Sequence, residues 1–371
     1  MTAAGTIFVY VGTYTEAAQN GKAEGIEVYR MDPSSGALTH VRTVAGGPNP
    51  SFLAFDPARR FLFAVNETET FAGQSGGVRA FALDAGAGNL TLLNTQPTHG
   101  TYPCHLCTDP TGRYLLSANY GSGSYAVHPI GADGRLGAAT DVVQHSGSGP
   151  NTRRQAGPHA HMVTFDLSGR YALLVDLGID KTLVYRLDIG TGKLDPHRVI
   201  AASGVAEQAT AQAAPGAGPR HVAFPPSNRY AYIINEIGCT IDTFAWDANA
   251  GTCAPLQTIS TLPVSFTGAN TTAEIAVHPS GRFVYGSNRG HDSIAIFAID
   301  PSSGVLTALG NEPTGGKEPR SFTIDPTGTF LLAANQNSSS IVTFRIDQST
   351  GALAATGEIA QVPTPVCVLF G

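Results

Sequence analysis

The stretch Gly218-Pro-Arg-His-Val-Ala-Phe224, followed after a turn by Tyr230-Ala-Tyr-Ile-Ile-Asn-Glu236, decides the fold of this chain. Two runs rich in β-branched and aromatic residues flank a turn, which is typical of a β-hairpin. Antiparallel pairing brings the start of the first strand beside the end of the second. Arg220 and Glu236 are therefore predicted to lie at one end of the hairpin, as a surface ion pair or as part of a reactive site.

The turn of this hairpin recurs along the chain and ends each time in an aromatic residue, at intervals of 47 to 59 residues. Proline fixes φ at the second turn position, and glycine supplies a permissive backbone after it. The six copies are Asp56-Pro-Ala-Arg-Arg-Phe61, Asp109-Pro-Thr-Gly-Arg-Tyr114, Asp166-Leu-Ser-Gly-Arg-Tyr171, Pro225-Pro-Ser-Asn-Arg-Tyr230, His278-Pro-Ser-Gly-Arg-Phe283 and Asp325-Pro-Thr-Gly-Thr-Phe330.

A third strand of the type Val/Ile-x-Phe-x-Ile-Asp follows these turns, as in 294–300 and 341–347. Repeated units of three strong strands and a weaker fourth predict an all-β fold, a seven-bladed β-propeller of four-stranded antiparallel blades. Six units are complete, and the seventh is divided between the two ends of the chain. The C-terminal run 365–370 matches the first strand that the N-terminal unit lacks. We therefore expect the C-terminal strand to close the ring, with residues 1–371 forming one domain.

Composition excludes several classes of function. Charged residues make up 13% of the chain, the net charge is −6 and no basic run occurs, which argues against nucleic-acid binding. No apolar run reaches the roughly 18 residues that a membrane span needs, and the N-terminus resembles a strand rather than a signal peptide.

Five cysteines in a long chain fit reduced thiols and a cytoplasmic location. The Cys104-His-Leu-Cys107 spacing lies within a strand pattern and has no second CxxC, so we predict no metal or redox role for it.

Polar residues cluster where the first strand of each unit begins and the second ends, because these points lie on one face of a propeller. An Asn or Asp ends each second strand and is assigned a structural role in binding backbone. The residues beside it vary from unit to unit, as in a site grafted on a repeat. The predicted cluster comprises Glu67, Tyr120, His159, His161, Arg220, His221, Glu236, Arg289, Arg320 and Gln336.

Two long connections, about 138–157 and 196–217, precede the strands that carry His159 and Arg220. Loops of this length are uncommon unless they are functional. The first carries Arg154, a further candidate for substrate binding. The second is rich in alanine, and we expect it to be mobile and to form, with the first, a partial lid.

At these residues the sequence resembles the lactonase family of seven-bladed propellers, which includes propeller-type 6-phosphogluconolactonases and 3-carboxy-cis,cis-muconate cyclases. The resemblance covers nearly the whole chain. It is carried by Tyr10-Val-Gly-Thr-Tyr14, Asn119-Tyr-Gly-Ser-Gly123, Gly157-Pro-His-Ala-His161, Asp176-Leu-Gly178, Gly218-Pro-Arg-His221, Asn235-Glu236, Ser287-Asn-Arg289 and Glu318-Pro-Arg320.

The resemblance implies catalytic roles for His159, Arg220, Glu236 and Arg289, with no metal and no cofactor. Strand register places His161 level with Arg220, and residues two apart on a strand share a face, so both histidines are candidates. A His-x-His zinc site would lack a clear third ligand.

Three functions remain open at this point. A lactonase would bind an anionic sugar lactone through its arginines and use Glu236 or His159 as general base on water. A cycloisomerase would close a muconate-like dicarboxylate with the same groups. A propeller can also be a binding scaffold without activity. The expected partner is a small anionic molecule, with no nucleic acid or membrane, and the expected assembly is a monomer or weak homodimer.

Overall fold

The protein is described from a computed structural model that covers residues 7–70, 73, 75–200 and 206–371, without the side chains of 198–200, 206 and 207. These residues form seven antiparallel sheets arranged as the blades of a propeller, with four strands in each blade and a fifth strand added in blade 4. Strands are numbered in chain order. In each complete blade the chain runs from the innermost strand at the central channel to the outermost strand.

The first three blades contain the N-terminal strands. Blade 1 contains β1 (Ile7–Thr13), β2 (Ile26–Met31) and β3 (Leu38–Val44). Blade 2 contains β4 (Leu53–Phe55), β5 (Phe61–Asn66), β6 (Gly77–Asp84) and β7 (Asn89–Pro97). Blade 3 contains β8 (Pro103–Thr108), β9 (Tyr114–Asn119), β10 (Ser124–Pro129) and β11 (Asp141–Gln144).

Blade 4 departs from the simple repeat. It contains β12 (Ala160–Phe165), β13 (Ala172–Asp176), β14 (Lys181–Asp188) and β15 (Lys193–Pro196). The small hairpin β16 (Arg198–Ile200) and β17 (Ala206–Gln208) follows, and β18 (Thr210–Gln212) then pairs with β14. Single 3-10 turns span Ala17–Gln19 and Leu177–Ile179.

The remaining blades are regular. Blade 5 contains β19 (Pro219–Ala223), β20 (Tyr230–Asn235), β21 (Thr240–Asp247) and β22 (Thr252–Ser260). Blade 6 contains β23 (Thr271–Val277), β24 (Phe283–Arg289), β25 (Ser293–Ile299) and β26 (Leu306–Pro313). Blade 7 contains β27 (Pro319–Ile324), β28 (Phe330–Asn335), β29 (Ser340–Ile346) and β30 (Leu353–Gln361).

The ring closes through β31 (Pro365–Phe370), which pairs antiparallel with β1 and becomes the innermost strand of blade 1. Val9 and Val11 of β1 pack with Val368 of β31 and with Phe330 and Leu332 of blade 7 in one buried cluster. The predicted seven-bladed fold and its closure by the C-terminal strand are confirmed.

The recurring Asp-Pro turn has a hydrogen-bonding explanation. Asp109 Oδ1 accepts from the backbone N–H groups of Arg113 and Tyr114, both at 2.7 Å. Gly112 lies at φ 70°, a left-handed conformation that glycine adopts without a steric cost. Arg59 and Asn228 occupy the equivalent position at φ 52° and 50° in the copies that lack glycine. The aspartate therefore fixes the start of the second strand in the four blades that carry it.

Candidate active site

Four site residues occupy the same place in four blades, as the second residue of the innermost strand. The pairing of β8, β12, β19 and β27 with the next strand skips one residue there, which leaves a β-bulge. The skipped residues are Cys104, His161, Arg220 and Arg320. A bulge leaves its extra residue outside the ladder and re-aims the side chain, so the repeat itself directs these four groups to one mouth of the channel.

The ends of the second strands supply the other half of the site. The second strands of blades 2, 3, 4, 5 and 7 end in a fully buried Asn or Asp, and in blade 6 the buried Asn288 is the last residue but one. The amide groups of Asn119, Asn288 and Asn335 donate to the carbonyls of Thr98, Thr261 and Thr314, which lie in the loops leading into the same blades. The predicted structural role of these residues therefore agrees with the contacts, and the neighbouring residue is left to face the channel.

These groups enclose a cavity of about 260 Å³ at the channel mouth, which we call the site cavity. It is lined by Glu67, Cys104, Tyr120, Arg154, His161, Glu236, Thr271, Arg289 and Arg320. Seven of these nine residues were candidates from the sequence. Cys104 and Thr271 were not, although Cys104 is the second residue of its strand, as His161 and Arg220 are, so strand register could have identified it.

Glu236 is the electrostatic centre of the site cavity. Its Oε2 lies 3.0 Å from Arg220 Nε and 3.0 Å from Arg289 Nη2, and its Oε1 accepts from Arg154 Nη2. Burial by itself raises the pKa of this carboxyl, but Arg289, Arg220 and Arg154 outweigh that effect and hold the pKa far below its usual range. Glu236 is therefore ionised at neutral pH and is a weak base.

Two of these arginines also bind backbone carbonyls of blade 6. Arg220 Nη1 donates to Ala273 O at 2.8 Å, and Arg289 Nη2 donates to Thr272 O at 2.7 Å. A register shift in β23 between Thr272 and Ile275 places both carbonyls toward the channel. Burial, followed by repulsion from Arg289 and Arg320, lowers the pKa of Arg220 to about 10, so its guanidinium stays charged at neutral pH.

His161 lies inside the site cavity and is 4% exposed. Its Nε2 is 3.9 Å from Glu236 Oε2, and its Nδ1 is 3.9 Å from Cys104 Sγ. Burial and the nearby Arg220 hold the pKa of this imidazole well below its usual range. His161 is therefore neutral at physiological pH and can accept a proton.

His159 lies outside the set of residues that line the site cavity. Its Nδ1 is 2.9 Å from the carbonyl oxygen of Tyr120, and its ring stacks on the Tyr120 ring with centroids 4.6 Å apart. Its backbone N–H donates to Asp176 Oδ1 at 2.7 Å. These contacts make His159 a support for the Tyr120 wall of the cavity.

Arg320 is the arginine of the site cavity that has no carboxylate oxygen within 4.0 Å among the residues that the structure describes. Its guanidinium lies 5.4 Å from the centroid of the Tyr14 ring. Tyr14 Oη donates to Glu67 Oε1 at 3.1 Å, and burial raises the pKa of Glu67. Arg320 therefore presents to the cavity a guanidinium that makes no direct ion pair among the described residues, although the charges of Glu67 and Glu236 act on it at longer range.

Two other sequence candidates lie away from the site cavity. His221 is 3% exposed beneath Arg220, and its Nδ1 is 2.8 Å from Glu274 Oε1. Gln336 is half-buried and is not among the lining residues. The sequence did not identify Glu274 as a functional residue.

The two long connections differ in structure. The turn 151–155 brings Arg154 over Glu236 and is held by Gln155, whose Nε2 donates to Asp180 Oδ1 at 2.6 Å. In the described part of the second connection, β18 joins the sheet of blade 4, and Ala209, Ala211 and Ala213 are buried. The expectation of a mobile alanine-rich segment is therefore wrong for 209–213, because small side chains allow close packing against β14. The lid itself stays a prediction.

Within the described ranges, no three His, Cys, Asp or Glu side chains are grouped in a way that could hold a metal ion. All five cysteines fall in these ranges, and none of them forms a disulfide. No described helix has the length and apolar character required to cross a bilayer.

Comparison with known proteins agrees with this architecture. The model of a family described as lactonase, 7-bladed beta-propeller, matches residues 8–370. The chain belongs to this family. It is 37% identical over 311 residues to a 6-phosphogluconolactonase of Bacillus subtilis, covering 84% of this chain and 83% of that protein.

Solved structures give the same result. A Bacteroides fragilis protein superposes with a TM-score of 0.89 at 35% identity, covering 100% of this chain and 99% of that one. The periplasmic gluconolactonase of Pseudomonas aeruginosa superposes with a TM-score of 0.88 at 34% identity, covering 99% of both chains. Because that lactonase-family neighbour is periplasmic, the cytoplasmic location of this chain stays a prediction.

Proposed function

We propose that this protein is a lactonase that hydrolyses an anionic sugar-acid lactone such as 6-phosphogluconolactone. One observation carries the proposal: a neutral imidazole and a guanidinium without a direct ion pair share a small cavity with a carboxylate fixed by three arginines. Membership of the lactonase family and the names of its relatives support the same reaction.

Arg320 is proposed to bind the anionic group of the substrate. Arg154, Arg220 and Arg289 are each engaged with Glu236, whereas Arg320 is not. A guanidinium recognises phosphate or carboxylate through paired N–H donors, and a partly desolvated site strengthens that contact. Arg289, which lines the cavity, is proposed to stabilise the oxyanion that forms at the lactone carbonyl.

His161 is proposed as the general base, in place of His159 or Glu236. His161 lines the cavity and its imidazole is uncharged, whereas His159 is engaged with Tyr120 and both carboxylate oxygens of Glu236 are engaged with arginines. The imidazole accepts a proton from water as the water oxygen attacks the lactone carbonyl. When the tetrahedral intermediate collapses, the ring C–O bond breaks and the leaving alkoxide takes that proton from His161.

The test is a screen of the purified protein, with proton release at constant pH measured for 6-phosphogluconolactone and for gluconolactone. We expect catalysed hydrolysis that is faster for the phosphorylated lactone and that persists after dialysis against EDTA, because the proposed mechanism uses no metal. A protein that accelerates neither reaction would contradict the proposal.

The same cavity leaves the cycloisomerase as a second candidate, because the cationic groups that bind one anion can also bind a dicarboxylate. Loss of muconate absorbance in the ultraviolet would support it. A binding scaffold would show neither activity, and replacing Arg220 or Glu236 would then have no catalytic effect.

A further inference from the structure

The channel below the site cavity holds a buried ionisable pair, His221 and Glu274, that the proposed mechanism does not use. His221 follows Arg220 on β19, and Glu274 follows Ala273 on β23 of the next blade. The His221 side chain is 4% exposed and the Glu274 side chain is 16% exposed. A desolvated pair of this kind is costly unless its hydrogen bonds are satisfied.

The hydrogen bonds around His221 are consistent with only one tautomer. Arg220 Nη1 lies 3.2 Å from His221 Nε2, and a guanidinium can only donate. Nε2 must therefore be the acceptor and carry no hydrogen. The proton is then on Nδ1, which donates to Glu274 Oε1 at 2.8 Å. The bond to Glu274 and the donor from Arg220 favour the same tautomer, because Glu274 needs a hydrogen on Nδ1 and Arg220 needs a bare Nε2.

Glu274 is itself held in place by the backbone irregularity of β23. Its N–H lies outside the ladder and donates to Ser287 Oγ at 2.9 Å, while its Oε1 also accepts from the N–H of Ile275 at 3.1 Å. The same irregularity directs Ala273 O to Arg220 Nη1. This segment of blade 6 therefore supplies Ala273 O as one acceptor of Arg220 Nη1. Through Glu274 it also orients His221, whose Nε2 is the other acceptor.

We infer that Glu274 and His221 are positioning residues that hold the Arg220 guanidinium against Glu236. Glu274 Oε1 accepts from His221 Nδ1, His221 Nε2 accepts from Arg220 Nη1, and Arg220 Nε donates to Glu236 Oε2 at 3.0 Å. Without the acceptor at Glu274, the Nε2-protonated tautomer would place a donor against a donor and push Arg220 from its place. His221 would then act on Arg220 and not on the substrate directly.

The first test uses wild-type protein labelled with ¹⁵N and records the two-bond imidazole correlations, with the His221 signals identified by their loss in His221→Asn. We expect His221 to carry its proton on Nδ1. A wild-type protein with His221 protonated on Nε2, or on both nitrogens at neutral pH, would overturn the inference. This measurement needs no substrate, so it fails separately from the proposed function.

The second test compares Glu274→Met, which removes the acceptor, with Glu274→Gln, which keeps an acceptor oxygen. Its rate readout rests on the proposed lactonase activity. We expect Glu274→Met to shift His221 toward the Nε2 tautomer and to lower kcat/KM by about tenfold or more, because a displaced Arg220 releases Glu236, which also holds Arg289, the proposed oxyanion donor. Glu274→Gln should keep the tautomer and a rate within about threefold of wild type, since an acceptor alone is required.

The matched control is Glu27→Met, which breaks a His–Glu pair of similar length on the outer part of blade 1, where His40 Nε2 lies 2.9 Å from Glu27 Oε2. We expect this variant to lose stability without losing rate. Equal rate loss in Glu274→Gln and Glu274→Met, or no loss in either, would overturn the inference. If Glu274→Met does not fold, the wild-type tautomer and Glu274→Gln still decide it.

Discussion

At the scale of single residues, Glu236 is the group on which the site depends. It is 5% exposed and is the shared counter-ion of Arg220 and Arg289, which are also buried. Arg154 is its third partner, but the Arg154 side chain is 38% exposed and is therefore screened by solvent. All three contacts are ion pairs with Glu236, but the loss of the exposed one should lower the free energy of unfolding much less than the loss of the buried ones.

We predict that Glu236→Gln lowers the free energy of unfolding by about 3–5 kcal/mol, because it leaves two buried guanidinium groups uncompensated. Arg154→Met should cost about 0–1 kcal/mol. Urea unfolding of both variants measures the difference. Equal stability of the two variants would contradict the assignment of Glu236 as the buried counter-ion.

A second prediction separates the two histidines. His161→Ala should abolish measurable hydrolysis, whereas His159→Ala should lower kcat/KM by less than about tenfold, because it loses a supporting contact and not the proton acceptor. Since burial and Arg220 lower the pKa of His161, protonation should inactivate the enzyme only well below pH 6.5. The pH profile of kcat/KM checks this, and an acid limb centred near pH 6.5 would argue for a different base.

The repeat pattern allowed much of the site to be predicted at this scale. Aligning the strand starts placed His161, Arg220 and Arg320 at one level, and the structure brings all three to the channel mouth. The sequence could not predict which arginines form ion pairs with Glu236 and which one does not. That depends on bulge geometry and on the turn 151–155, and neither leaves a periodic signal.

At the scale of elements, the β-bulge at the start of the innermost strands links fold to site. Pro103, Pro219 and Pro319 directly precede the skipped residue in three blades. Proline lacks the N–H that a ladder needs, so it suits a strand start beside a bulge. The Gly-Pro-Arg-His motif therefore forms the bulged strand start, and the bulge directs the side chain of its Arg toward Glu236.

The start of β12 supplies an element-scale prediction. A Cβ on Gly178 would lie 2.0 Å from Gly157 O and 2.7 Å from the N atom of His159. We expect Gly178→Ala to displace the start of the strand that carries His161, lowering the free energy of unfolding by about 1–3 kcal/mol and the rate with it. Thermal melting and initial rates provide the measurement.

Gly157→Ala is the matched control, because a Cβ at Gly157 meets no atom within 4 Å and its φ is not positive. It lies in the same segment and should leave stability and rate close to wild type. If Gly157→Ala and Gly178→Ala behave alike, the close approach at Gly178 does not govern the site.

At the scale of the whole molecule, ring closure is the feature that the sequence predicted most directly. The C-terminal run matched the strand missing from the N-terminal unit, and β31 occupies that place. Its removal would expose an edge of β1 and open the buried cluster between blades 7 and 1. That residues 1–371 form one folding unit stays a prediction.

We predict that deletion of residues 364–371 abolishes folding. The ring is stable because its closure leaves no exposed strand edge between the first and last blades, and the deletion would open it there. Circular dichroism and analytical size exclusion would show loss of the native state. A soluble truncated protein with unchanged melting would contradict a single cooperative ring.

We propose that the site cavity binds and hydrolyses an anionic lactone through Arg320, the arginine of the cavity that makes no direct ion pair with Glu236. The most direct measurement is kcat/KM of wild type and Arg320→Met for 6-phosphogluconolactone and for unphosphorylated gluconolactone. The loss of a hydrogen bond to a charged group costs about 1.5–3 kcal/mol. We therefore predict a fall of about 10- to 150-fold for the phosphorylated substrate and little change for the other. Equal effects on both substrates, or none on either, would contradict the claim.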